Sequence, residues 1–410
     1  MATSRLVLTV LLPFAVGYLM AYLYRSVNAV VAPDLVRDLG LTAGGLGLLT
    51  AAYFFTYAAS QLPLGVLLDR FGPRRVQASF FCVSAFGSGL FAIAPDQALL
   101  TLARALIGLG FAGGLMSSFK LIALWVPRSR VALANGCLMS FGGLGALVAS
   151  APADFAVRLV GWRVTFGVLT LLTFAVAAAI YFIVPEKPGA AAGPPSGSAA
   201  PGGLAAIFRD RLFWKLAPVV ASTTGSALAI QTLWAGPWLK DVAGLDRSSV
   251  ATHVMAIALG FTFGVAMSGV VTGILDRFRI HLLTVMTGGI LVSLASQAIL
   301  VAGIADDSIV VWSVFGMTGQ IAILAFAHLS EHFGVARAGR AGTALNVLVF
   351  STAFAAQYAI GGIIDLWPMA AAGSYQATGY RVGFGACLLL QVLSLIWYFW
   401  PTRLAAATAR

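Results

Sequence analysis

The stretch GVLLDRFGPRRV, Gly65 to Val76, decides the fold, because it returns in weaker form as GILDRFRIHLL, Gly273 to Leu283. In each copy Asp-Arg-Phe, beginning at Asp69 or at Asp276, directly follows an apolar run long enough to cross a hydrocarbon core of about 30 Å as a helix. A motif that recurs at the same place after two such runs marks an internal repeat. Working outward, twelve apolar runs can be counted, at roughly 6–31, 43–68, 76–95, 99–126, 131–153, 163–184, 212–238, 249–275, 281–304, 309–333, 341–366 and 381–400. Between the sixth and seventh lies EKPGAAAGPPSGSAAPGG, Glu186 to Gly203, which reads as a flexible linker, followed by an interfacial helix over Leu204 to Lys215. The expectation is an all-α membrane protein of twelve transmembrane helices in two six-helix halves, residues 1–185 and 212–410, joined by a cytoplasmic linker at 186–211.

Composition agrees with that reading. The chain is 60% hydrophobic and 10% charged, against about 25% charged in an ordinary soluble domain, and its mean hydropathy is +0.93. The first run is too long for a signal-peptide core, has only Arg5 before it and lacks a small-residue cleavage site, so it is expected to remain in the mature protein. A net charge of +11 would suit nucleic acid, but the cations sit in short connections. With both termini inside, Arg37, Arg158, Arg163, Lys240, Arg247 and Arg381 fall on the outer face and Arg25, Arg104 and Lys120 within the membrane. The other sixteen of 25 are cytoplasmic. The partners expected are the lipid bilayer and a small anionic solute, with no nucleic acid. Cys82, Cys137 and Cys387 all fall inside spans and suggest neither a disulfide nor a metal site, and no cofactor is expected.

Gly65-x-x-x-Asp69-Arg70-x-Gly72-x-Arg74-Arg75 resembles the signature loop of the major facilitator superfamily, and Arg104-x-x-x-Gly108-x-Gly110 resembles its second recurring motif. The second copy, with Asp276 and Arg277, is degenerate. The resemblance implies that the loop contacts lock the two halves in the outward-open state and break on inward opening. From the residues themselves, Gly65 permits close helix approach, Asp69 suits a helix N-terminus or a loop arginine such as Arg130, and Arg70, Arg74 and Arg75 hold the loop in the cytoplasm.

Arg25 stands inside an apolar run, where an arginine costs about 2.5 to 3.5 kcal/mol on insertion scales. Tyr18, Tyr22, Arg25 and Asn28 form a stripe about 120° wide, which offers hydroxyls, an amide and a guanidinium to one cavity. Such a set binds a carboxylate or phosphate bidentately. No acid is expected near mid-membrane, so the alternatives are pairing through helix bending or with Asp154, and snorkelling at the lipid edge. Tyr22-x-x-Arg25-x-x-Asn28-x-x-x-x-Pro33 resembles the first span of the anion:cation symporter and organophosphate:phosphate antiporter branches, in which that arginine holds the anionic substrate. Lys120, before Trp125, resembles a basic position of the same branches. The chain departs from them at Tyr24, where the symporters usually carry an acid, and at Ala112-Gly113-Gly114, where they carry a glutamate.

Other intramembrane polar residues complete the expected path. Gln231 and Trp234 share a face of span seven with Thr224 and Trp238, and Asn346 and Gln357 share one in span eleven with Phe350. Arg104 and Lys120 lie on opposite sides of span four, the first as a structural or gating group and the second either lining the inner half of the path as a substrate-binding cation or snorkelling to the cytoplasmic surface. His328 and Glu331 are the expected proton carriers, because a histidine titrates near neutral pH. Together these features point to a secondary transporter of a small organic anion, not an enzyme, working as a monomer in a bacterial inner membrane. A multispecific exporter of the same superfamily and a transporter-like receptor are the rival readings.

Overall fold

The computed structural model describes residues 6–127, 130–186, 203–276, 278, 280–369 and 374–400. Its elements are helices: α1 (Leu12–Ser26), α2 (Asn28–Leu39), α3 (Ala43–Ile93), α4 (Gln97–Phe111), α5 (Gly114–Trp125), α6 (Val131–Val148), α7 (Ala151–Ile183) and α8 (Gly203–Phe208). They continue as α9 (Arg211–Ala229), α10 (Ala235–Asp241), α11 (Arg247–Asp276), α12 (Leu282–Val301), α13 (Ile309–Thr318), α14 (Leu324–Phe333), α15 (Val335–Ile364) and α16 (Ala377–Phe399). Among the described residues ten helical stretches are long and apolar enough to cross a membrane, and Leu133–Val148 is a shorter apolar one. Large apolar side chains such as Phe182, Leu171 and Leu393 stand exposed on the bundle surface, as a lipid-facing exterior requires.

Two corners differ from the sequence reading. The 51-residue α3 holds what the sequence divides into spans two and three, and its one non-helical residue is Gly72, at φ 76°. A Cβ at Gly72 would meet nothing within 4 Å, so backbone conformation, not space, demands glycine there. Pro73 follows and suits the first turn of the helix that resumes. Gly161, at φ 78° inside α7, makes the second corner, so helix runs through much of the connection expected between 153 and 163. The first run is also longer than its apolar stretch: after a break at Val27 it continues as α2 to Leu39 and stops at Gly40 in the left-handed conformation.

Starts are set by side-chain caps. Thr42 accepts from the Gly45 N–H (3.1 Å), Asp96 from Leu99 (2.8 Å) and Asp210 from Phe213 (2.9 Å). The core is aromatic and continuous, and Tyr24, Tyr53, Phe81, Phe91, Phe111, Trp234, Trp238 and Trp312 are all fully buried within it or beside it. A π-helical turn at Ile230–Trp234 joins α9 to α10 and turns the polar face of this stretch midway along its length.

Candidate functional site

Arg25 lies at the last turn of α1, 6% exposed, and its Nε has no hydrogen-bond partner. Its guanidinium carbon sits 4.6 Å from the Tyr22 ring centroid, 5.3 Å from Tyr57 and 5.4 Å from Phe350. The electrostatic neighbours of that cation are the phenols of Tyr18, Tyr22, Tyr53 and Tyr57. Among the described residues no carboxylate reaches it. Asp154, the internal partner considered from sequence, is engaged by Arg158 and Arg247 instead. The result is a buried cation with aromatic walls drawn from both sides of the 187–202 connection. Phe350 belongs to α15 and packs 4.2 Å from the Tyr57 ring, while Tyr22 stacks on Phe261 of α11 at 5.7 Å.

The rest of the expected stripe divides. Tyr18 meets Tyr22 edge-on at 5.1 Å and points its hydroxyl at the Met139 sulfur. Asn28 is fully buried, and its amide donates to Thr50 Oγ1 at 2.9 Å while its Oδ1 stays without a partner. Trp234 is buried and donates to the Gln357 carbonyl at 3.1 Å, and neither polar atom of the buried Gln357 amide has a partner. Gln231 sits in the π-helical turn and, like Asn346, is half-buried.

The two other intramembrane cations go elsewhere. Arg104 is wholly buried, donates to the Tyr24 carbonyl at 2.9 Å and lies near the Tyr53 and Phe91 rings. Lys120 Nζ meets Asp69 at 2.6 Å and the Leu68 carbonyl at 2.8 Å, so it joins the signature loop and not the Arg25 cage. In that loop Arg74 and Arg75 reach Glu186, and Arg74 also donates to the Val184 carbonyl. Arg70 lies over Phe71, and Arg130 precedes the first residue of α6 without a side-chain cap. A Cβ at Gly65 would touch nothing within 4 Å, so no neighbouring backbone is crowded against it, contrary to the sequence expectation. Arg277 and the Asp276 side chain lie outside the described residues. His328 faces His281 at 5.9 Å, Glu331 is exposed, and His332 pairs with Asp210 at 3.0 Å.

Sequence reasoning missed Tyr53, Tyr57 and Arg247. The two tyrosines stand four apart on the second apolar run, a spacing that puts them on one helix face. Their signal was present but weaker than that of a charge. Arg247, which the sequence places among the outer-face cations, bridges Asp34 (2.8 Å) and Asp154 (2.6 Å).

Comparison with known proteins follows the same lines. The sequence model described as Major Facilitator Superfamily matches residues 14–357. The probable sulfoacetate transporter of Cupriavidus necator is 27% identical over 267 residues, which is 61% of this chain and 62% of that protein. The hexuronate transporter of Escherichia coli K12 is 27% identical over 158 residues, 38% of this chain and 37% of its own length. These matches therefore span less than two thirds of each relative. A bacterial homologue of the human lysosomal transporter Spinster, in an inward-facing and unoccupied conformation, has the same fold, with a TM-score of 0.76 over 97% of both chains at 18% identity.

Proposed function

This chain belongs to the Major Facilitator Superfamily, and from that premise we propose that it is a secondary active transporter of a small organic anion, held at Arg25. The observation that carries the proposal is the cation itself: only 6% exposed, walled by tyrosines and, among the described residues, facing no acid. A fixed charge kept at such expense in a membrane is normally functional, and a guanidinium among phenol hydroxyls fits a carboxylate, sulfonate or phosphate ester. The sulfoacetate and hexuronate specificities named for two relatives are of that kind.

In this reading twelve spans form two six-helix halves, residues 1–185 and 212–410, with 186–211 as a cytoplasmic connector. Both termini lie in the cytoplasm of a bacterial inner membrane. The monomer alternates access by rocking one half against the other about the Arg25 layer. Tyr18, Tyr22, Asn28, Gln231, Trp234, Asn346 and Gln357 line the path, and Asp69, Arg70, Arg74, Arg75 and Lys120 gate its inner end. Transport is coupled either to a proton, carried by His328 and Glu331, or to a counter-anion.

Counterflow in proteoliposomes tests the reading. Liposomes loaded with unlabelled carboxylates, sulfonates, sugar acids or phosphate esters should accumulate the matching labelled anion, and Arg25→Lys should lose that uptake. Intact exchange in Arg25→Lys, or no exchange of any anion, would overturn it.

A further inference from the structure

At the end of the bundle away from residue 6 and residue 400, several polar contacts join the chain before residue 187 to the chain after 202. Arg247, the first residue of α11, holds Asp34 of α2 through both terminal nitrogens (2.8 and 3.1 Å) and Asp154 of α7 through Nε (2.6 Å). Asp34 and Asp154 are 4% and 1% exposed. Each has a second arginine from its own segment, Arg37 at 3.2 Å for Asp34 and Arg158 for Asp154, so among the described residues Arg247 is what ties both to the opposite segment. Nearby, Asp365 at the end of α15 accepts from the Ala43 and Gly44 N–H groups (2.9 and 2.8 Å), capping α3 from across the same boundary. The Tyr375 hydroxyl donates to the Leu41 carbonyl at 3.0 Å.

We infer that Arg247 is the positioning residue that latches the outer end of the path shut, with Asp34 and Asp154 as its two catches. The inference rests on the alternating-access reading above. Parting the halves at this end takes one guanidinium from two nearly dry carboxylates at once. Each carboxylate is then left with an arginine of its own segment and with water that can enter only as the gap opens. The Asp34 and Asp154 side chains are 6% and 2% exposed and that of Arg247 is 35% exposed, so parting them strands two buried carboxylates and costs more than losing a solvated pair, though less than a fully buried one; in this reading the latch holds when the site is empty and yields when the opposite end closes. Arg247 is suited to this because its planar fork serves two acceptors in fixed directions, which a lysine cannot do. The Asp365 cap adds a charge-to-dipole contact that is made and broken by the same motion.

The test uses the full-length protein with Cys82, Cys137 and Cys387 replaced by serine and a reporter cysteine at Ala29. That residue is 1% exposed, and its carbonyl lies against Gly236 across the boundary. In right-side-out vesicles a membrane-impermeant maleimide should label the reporter slowly, about tenfold faster in Arg247→Met, and at an intermediate rate in Arg247→Lys. Asp34→Asn with Asp154→Asn should reproduce the Met result. A spin-label pair at Leu159 and Ile304, exposed residues of the two segments near this end, should lengthen in the same order and reports even on a variant of low yield. Equal labelling and equal distances across Arg, Lys and Met would overturn the latch. Because neither readout uses an anion, a graded labelling response in a protein whose unmutated form exchanges no anion would count against the substrate reading and for the latch.

Discussion

Replacing Arg25 with methionine should leave the ligand-free protein as stable as before, or slightly more so, while removing anion binding. Burying the guanidinium costs about 2.5 to 3.5 kcal/mol on insertion scales. Three rings, at 4.6, 5.3 and 5.4 Å, return about 0.5 to 1 kcal/mol each. The residual strain relieved by Arg25→Met is therefore between about zero and 2 kcal/mol, a rise in Tm on the order of a degree or two. The effect on a bound anion has the opposite sign. Two charge-assisted hydrogen bonds are together worth about 3 kcal/mol or more, so affinity should fall by over a hundredfold. Scanning fluorimetry in detergent, with and without each candidate anion, reads both quantities in one experiment. A drop of several degrees in the ligand-free Tm would refute the reasoning, because it would mean that the cation is a structural member and not a vacancy awaiting a counter-ion.

Gly236→Ala places a Cβ against the Ala29 carbonyl across the boundary between the two segments, whereas Gly108→Ala places one against the Tyr53 carbonyl within the first segment. Both should cost on the order of 1 to 3 kcal/mol in a melt, but only Gly236→Ala should raise labelling of an outer-end cysteine. The Lys120–Asp69 pair, with side chains 25% and 23% exposed, should give a coupling of about 1 kcal/mol or less in a double-mutant cycle. At Asp210, burial raises the carboxyl pKa, but hydrogen bonds from His332 and the Phe213 N–H outweigh it and hold the group below its usual value. The stabilisation is thus present above the unfolded pKa of about 3.9 and is lost as pH falls through the lower folded value. Between about pH 5 and 3 the wild-type Tm should fall more steeply than that of Asp210→Asn. Finally, labelled anion uptake should be faster into vesicles preloaded with the same anion than into empty ones.

The membrane-crossing helices were legible in the sequence because lipid demands long apolar runs, and hydropathy alone finds those. Their corners were not. Gly72 and Gly161 bend helices through one left-handed residue each, and a positive φ leaves no trace in hydropathy. Arg25 was legible for the reason that a charge in an apolar run is rare and needs a partner. Its aromatic walls were harder to read, since Tyr57 and Phe350 meet only when residues nearly three hundred positions apart pack together. Lys120 shows the limit most plainly. Sequence places it near the inner end of a membrane helix, but whether it lines the path or joins the signature loop depends on its reach to Asp69, and only the fold supplies that distance.

If Arg25 holds the anion as proposed, the charge state of its layer bears on how the carrier cycles. An inside-negative potential of 100 mV opposes inward movement of one negative charge by about 2.3 kcal/mol. With a monovalent anion on Arg25 the layer is neutral, so the loaded carrier feels little of that field. The empty carrier keeps one uncompensated cation among Tyr22, Tyr57 and Phe350, and returning it outward works against the same potential. An anion picked up on the inner side removes the penalty, which favours exchange over an empty return. A proton on His328 neutralises nothing at Arg25, because that ring lies midway along α14 and faces His281 at 5.9 Å, not the aromatic walls of Arg25. The arrangement therefore places the kinetic burden on the empty site, and the preloaded vesicles are the condition that lifts it.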